Sequence, residues 1–210
     1  MLYNPRTFRA NDMDELHKFI QQYSFCSLIT HSSSWQVSHI PLLLQPQDGK
    51  YGTLIGHIAK PNRQWQDFDG TRQALCIFNG PHSYISPSWY ITGPDAPTWN
   101  YAVVHAEGIP HIMDNQAELL ESLNCLINHF EPSLQEPNSK AYIPQSYKLS
   151  QLDYIVGFKI EIQQLVGKFK LGQNYSTEDQ QAMLENLSKQ DNEDSRQLAH
   201  FIKQYRKEKL

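Results

Sequence analysis

Cysteine is scarce in this chain: Cys26, Cys76 and Cys125 are odd in number, lie far apart and form no C-x-x-C pair, so neither a disulfide framework nor a thiol redox motif is indicated. Each sits in an apolar segment, and all three are expected to be buried thiols in a reducing cytoplasm. Long hydrophobic runs are missing too. Stretches such as Ile40 to Leu44 are far too short to cross a bilayer, and the polar N-terminus has no secretory apolar core, so neither a membrane span nor export is expected. Positive charge is also in short supply. With 18 Lys and Arg against 22 Asp and Glu the chain carries a formal net charge of −4, a field that repels polyanions and argues against a dedicated nucleic-acid binder. The local exception is a basic tail, Lys203, Arg206, Lys207 and Lys209, which is equally accounted for as the cation-favouring end of a helix.

The familiar catalytic signatures are absent as well. No G-x-G-x-x-G follows a strand, and no P-loop, G-x-S-x-G or H-E-x-x-H occurs, which removes support for Rossmann, P-loop, esterase and zincin chemistry. Nine histidines show no ligand-like spacing, so no metal is expected. No catalytic residue is assigned from the sequence.

What the chain does contain is a globular composition, 40% hydrophobic and 19% charged, with aromatics somewhat rich at 11%. Asn11 is placed to cap an amphipathic helix bearing Met13, Leu16, Phe19, Ile20 and Tyr23. Strands are expected at Phe25 to Thr30, at Gln36 to Leu44 with a bulge or edge at Pro41, and at Tyr51 to Ala59. A short helix over Asn62 to Phe68, a strand from Ala74 to Phe78, and a long strand from Trp99 to Ile112 follow. Leucines from Leu119 onward predict a helix over Gln116 to Phe130. Phe158, Ile160 and Ile162 alternate with polar residues as in a half-buried strand. Ser176 opens a helix with Asp179 and Gln180 placed for a capping box, and a last helix starts near Asp194. About six mainly antiparallel strands with peripheral helices suggest an α+β barrel over residues 1–175, followed by a helical extension, 176–210.

Three segments stand out as candidate sites. Phe78 to Gly108 crowds His82, Tyr84, Ser86, Trp89, Trp99, Asn100 and His105 among four prolines and three glycines. Read as a long loop, it offers aromatic bodies with polar tips suited to a flat heteroaromatic ligand, or alternatively a packed rim. Gly56 to Trp65 places His57 at a strand end, Lys60 beyond it and Asn62 at a helix start, a candidate anion site that is equally a plain helix cap with a surface lysine. In Gly167 to Asn174, Lys168 and Lys170 share one strand face, and Gln173 and Asn174 add amides suited to a heterocycle edge.

Assembled, these segments resemble the PaiB family of FMN-binding negative transcriptional regulators. The matching stretches are Y-x-P-x-x-F at Tyr3 to Phe8, G-H-x-A-x-x-N at Gly56 to Asn62, G-P-H-x-Y-I-S-P-S-W-Y at Gly80 to Tyr90, and P-T-W-N-Y-x-x-V-H at Pro97 to His105. V-G-F-K-I at Val156 to Ile160 and K-L-G-Q-N at Lys170 to Asn174 complete the set. The chain departs from the family's pattern at Pro61-Asn62-Arg63-Gln64-Trp65, where the family reads G-N-P-x-W, and at Gly172, where it has serine. The resemblance implies a split β-barrel that forms a homodimer and binds FMN, with the phosphate near His57, Lys60 and Asn62 and the ring near Lys170, Gln173 and Asn174. It also implies repression, with any DNA contact weak or indirect given the charge. The alternative carried by the same fold is a flavin-dependent oxidoreductase or flavin reductase related to the pyridoxamine phosphate oxidases, with His82 or His105 beside the ring. A cofactor-free interaction protein is a third reading.

Overall fold

Phe158, Ile160 and Ile162 are buried while Lys159 and Glu161 between them are exposed, and this period of two forms the middle of the longest strand in the protein. The computed structural model describes residues 2–207. In chain order the elements are β1 (Arg9–Ala10), α1 (Met13–Gln22), β2 (Phe25–His31), β3 (Trp35–Pro41), β4 (Leu43–Gln45), β5 (Thr53–Ala59) and β6 (Ala74–Ile85). They continue as β7 (Thr98–Ile112), α2 (Gln116–Phe130), α3 (Gln145–Gln151), β8 (Ile155–Lys170), α4 (Thr177–Ser188) and α5 (Glu193–Lys207). The sheet order is β3-β2-β6-β7-β8-β5-β4, with β1 pairing on β8, and the β1–β8, β2–β3, β2–β6, β4–β5 and β5–β8 pairs are antiparallel. The fold is α+β, as expected.

Among the described residues eight strands stand where about six were expected, for identifiable reasons. The run Gln36 to Leu44 divides because Pro41 has no N–H to give the ladder, and the fully buried Leu42 donates its own N–H to Ser24. Phe78 to Gly108 is not a long loop. Its two ends belong to β6 and β7, and only the segment between Ile85 and Thr98 connects them, a short 3-10 turn at Pro87–Trp89 included. The first helix is capped by Asp12 rather than Asn11: the Asp12 carboxylate accepts the Glu15 N–H and its carbonyl the Leu16 N–H.

The chain forms two compact units. The first takes the residues up to Leu16, Asn79–Val104, and the chain from Val166 onward. Its interior holds Phe169, Leu171, Met183, Leu187, Leu198 and Ile202, and the Phe169 ring meets Phe201 and Tyr205 edge-on. A buried hydrogen bond of 2.7 Å between the Ser83 and Ser195 hydroxyls joins β6 to α5. The second unit comprises His17–Phe78 and His105–Leu165. There Ile55, Met113, Leu119 and Leu152 pack together, and the Phe68 and Phe158 rings lie 4.8 Å apart. A Cβ on Gly108 would lie 2.2 Å from the Glu161 carbonyl oxygen, so the close passage of β7 and β8 at this point admits only glycine.

Cys26 and Cys76 are buried free thiols, as expected, whereas Cys125 is exposed. Leu119 and Ser122 face the interior from α2, while Cys125, a turn further along at the flank of that face, is open to solvent. The Cys26 thiol beside it and burial together push the Cys76 thiol upward. Among the described residues no helix is long and apolar enough to cross a membrane.

Candidate functional site

In the second unit, β5 ends in a four-residue turn, Ala59 to Asn62, closed by the Asn62 N–H donating to the Ala59 carbonyl at 2.8 Å. Asn62 then caps the 3-10 helix Arg63–Asp67. Its side-chain oxygen accepts the Gln64 N–H and its amide donates to Ser38 Oγ at 2.8 Å. Asn62 is thereby committed to shaping the turn, and the cations left for an anion are the exposed Lys60 and Arg63. The turn rests on buried Gln64, whose amide nitrogen donates to the Leu28 and Gln36 carbonyls and Thr30 Oγ1, while the Thr30 hydroxyl donates to Asp67 at 2.8 Å. His57, half-buried on β5, has its pKa lowered by burial. On β7, His105 is likewise lowered, burial outweighing the opposing Glu107 charge, so both imidazoles are neutral at pH 7.

In the first unit, Lys170 at the end of β8 donates to Thr98 Oγ1 and, at 2.9 Å, to the Trp99 carbonyl. Burial, helped by the charge of Lys168, lowers its pKa. Beside it Trp99, 54% exposed, lies 6.1 Å from the His82 ring and 6.3 Å from Tyr84. His82 and Tyr84 point outward from β6 because Ser83 and Ile85 point inward. Ser86 caps the short turn that carries half-buried Trp89 by accepting the Ser88 N–H. Asn100 faces away from this surface. It is fully buried, its amide against Met183 Sδ and its carbonyl oxygen without a partner.

Gln173 is turned back on its own strand, accepting the Leu171 N–H and donating to the Phe169 carbonyl, while Asn174 is exposed. Just before them Gly172 has φ +83°, and a Cβ there would meet Met183 at 3.0 Å. Glycine at this position therefore relieves both backbone and packing strain that serine would incur. Lys168, on the same face as Lys170, is instead buried. Its ammonium sits 5.3 Å and 5.4 Å from the Tyr3 and Tyr101 ring centres and donates to the Tyr3 carbonyl.

The residue that the sequence reading undervalued is Asp179. Ser176 Oγ accepts the Asp179 N–H, which is half of the expected capping box. The Asp179 carboxylate makes no reciprocal bond; it accepts the Ile91 and Thr92 N–H groups, at 2.6 and 3.1 Å, and the Thr92 hydroxyl. One carboxylate thus ties the connector after Trp89 to α4, and the Thr92 hydroxyl and Ile91 N–H hold its pKa below the usual range. An acid at the third position of a helix was the available signal, but its distant partners were not readable. Tyr90 and Tyr175 add a ring contact at 4.5 Å. Among the described residues no His, Cys, Asp and Glu cluster could hold a metal.

Taken by itself, the turn in the second unit offers exposed cations suited to a phosphate, and the first unit offers a pinned ammonium beside exposed rings suited to a conjugated heterocycle. A family model described as "Putative FMN-binding domain" matches residues 2–164. Over 210 residues and the full length of both proteins, the chain is 31% identical to "Protease synthase and sporulation protein PAI 2" of Bacillus subtilis (strain 168). Among solved structures, the flavocytochrome Anf3 from Azotobacter vinelandii matches with a TM-score of 0.60 at 10% identity, covering 83% of this chain and 75% of that one. The FAD and heme binding protein from Mycobacterium smegmatis matches with a TM-score of 0.59 at 9% identity, covering 83% and 78%. Those two likenesses speak to the fold, an α+β split barrel, and the sequence matches to descent: the chain belongs to the PaiB-type family of FMN-binding domains.

Proposed function

We propose that the protein binds FMN as a cytoplasmic homodimer and acts as a PaiB-type negative regulator of transcription. The observation that carries the flavin reading is Lys170, an ammonium held by Thr98 and the Trp99 carbonyl beside the exposed Trp99, His82 and Tyr84 rings. When bound, FMN supplies reversible electron transfer and an absorbance in the visible. In this reading Lys170 offers positive charge to the pyrimidine edge of the ring, and Asn174 an exposed amide. Lys60 and Arg63 take the phosphate, with neutral His57 as a hydrogen-bonding partner and Asn62 holding the turn. Gln173 contributes by fixing the strand end rather than by touching the ring. The dimer is supported by the ring surface that Tyr84 and Trp99 leave in water, together with Ile91 at 71% exposure.

Titration of apo-protein with FMN, FAD and riboflavin, followed by quenching of flavin fluorescence, tests the cofactor. FMN is expected to bind at about micromolar concentration and at least about tenfold more tightly than riboflavin, which lacks the phosphate. Equal affinity for the two would remove the phosphate site. Lys170→Ala should weaken FMN binding or lower the flavin potential, and an unchanged protein on both counts overturns the ring assignment. Light scattering at about twice the chain mass is expected for the dimer.

Regulation of transcription through direct DNA contact would depend on the basic tail. Lys203 and Lys207 are exposed, Arg206 is turned toward Gln180, and Lys209 lies outside the described residues. Two exposed lysines on a chain of net charge −4 support only weak, steeply salt-dependent association, so repression through a partner or a flavin-linked activity is the form we favour. A specific mobility shift that survives physiological salt would show otherwise.

A further inference from the structure

Where β8 gives way to α4 in the first unit, α5 closes a cavity of about 350 Å³. Leu171, Ile202 and the Tyr205 ring supply its apolar wall, and Gln173, Thr177, Gln180 and Arg206 its polar one. The polar groups are not free to collapse on one another. Gln173 is spent on the strand end, and Gln180 donates its amide N–H to the Tyr175 carbonyl at 2.8 Å. The Gln180 carbonyl oxygen then accepts from Arg206 Nη2 at 2.9 Å, so a fixed amide holds the guanidinium at the cavity.

Arg206 is half-buried, and its partner among the described residues is a neutral amide rather than a carboxylate. Burial without a counter-charge disfavours its charged form, and its pKa is lowered accordingly. The remaining donors of the guanidinium present a planar fork, the geometry that matches a carboxylate with two parallel hydrogen bonds. The volume falls at the low end of small-molecule sites, and most of the lining is apolar, so the occupant must be small and largely hydrocarbon.

We propose that this cavity is a binding site for a small monocarboxylic acid with an aryl or short alkyl body, its carboxylate paired to Arg206 and its body against Leu171, Ile202 and Tyr205. A monoanion fits better than a phosphate because Arg206 is the only cation in the lining among the described residues, and a dianion would leave charge uncompensated in a mostly apolar space. The cavity shares the turn after Lys170 with the ring assignment made above, but the binding claim does not depend on flavin being bound.

Calorimetric titration of the full chain with phenylacetate and octanoate, with phenylacetamide and octanamide as uncharged controls, decides the matter. At least one acid is expected to bind at about 0.1–1 mM, and its amide at least about tenfold more weakly. Arg206→Gln should weaken the acid by about tenfold or more while leaving the far-ultraviolet circular dichroism and FMN binding as they were. Thr177→Trp, at the exposed rim, should block entry with Arg206 intact, and it settles the question if Arg206→Gln does not fold. No binding of either acid at about 10 mM, amides that bind as well as the acids, or binding untouched by both substitutions would each overturn the proposal. Loss of FMN binding with acid binding retained would count against the flavin assignment alone.

Discussion

The two units hold their candidate residues by different chemistry. In the second, the turn from Lys60 to Asn62 rests mainly on neutral amides: Gln64 reaches two carbonyls and Thr30, whose hydroxyl goes on to the buried Asp67 carboxylate, and Asn62 reaches Ser38. In the first, the connector beyond Trp89 is tied down by one carboxylate, Asp179, that accepts three hydrogen bonds from two residues. A hydrogen bond from an amide to a carbonyl does not titrate, and it is costly to sever where the carbonyl stays buried, as that of Leu28 does. A carboxylate latch is strong while ionised and fails on protonation. The two regions should therefore differ in how acid and substitution release them.

The largest effect is expected from Gln64→Ala, which strands the buried Leu28 carbonyl and removes the bonds to Thr30 and Gln36, and should cost about 2 kcal/mol; urea unfolding at neutral pH checks the size. Next comes Asp179→Asn. A carboxyl whose pKa is depressed on folding contributes stability that is fully present above its unfolded pKa and is lost as pH falls through the folded one. The gap in Tm between wild type and Asp179→Asn should accordingly be several degrees at neutral pH and close on acidification, and a gap that persists in acid would mean the latch works by shape alone. Gly172→Ser, which restores the family's residue, should cost about 1 kcal/mol because φ is +83° and Met183 leaves no room; a neutral result would show that α4 gives way. Smallest of all, Lys203→Glu with Lys207→Glu should change stability by less than about 0.5 kcal/mol, since both are exposed, while abolishing any low-salt DNA shift.

Much of the fold was legible because it depends on local period. Gln116–Phe130 is a helix at the expected boundaries, and Ser176 is the cap of α4. Strand ends were less legible. The segment Ala74 to Phe78 continues as β6 through Gly80 and Pro81 to Ile85, because a neighbouring strand rewards extension past residues that punctuate an isolated chain. Sequence spacing put Lys168 and Lys170 on one face, yet nothing local distinguished the lysine enclosed by Tyr3 and Tyr101 from the one held by Thr98 and Trp99.

Family membership and the flavin-binding class were already present in the order of residues, since long tryptophan-containing motifs such as Gly80 to Tyr90 are specific without coordinates. Which side chains remain available to a ligand was decided only on folding. Asn62 and Gln173 look like ligand contacts in the sequence, but their hydrogen bonds go to Ser38, Gln64, Leu171 and Phe169. Asp179 looks like a helix cap, and its carboxylate goes to residues more than eighty positions earlier. Arg206 looks like part of a solvated tail, and it turns inward to Gln180. A polar group's capacity for hydrogen bonds is set by its chemistry, but its partners are set by whatever the tertiary structure brings within about 3 Å.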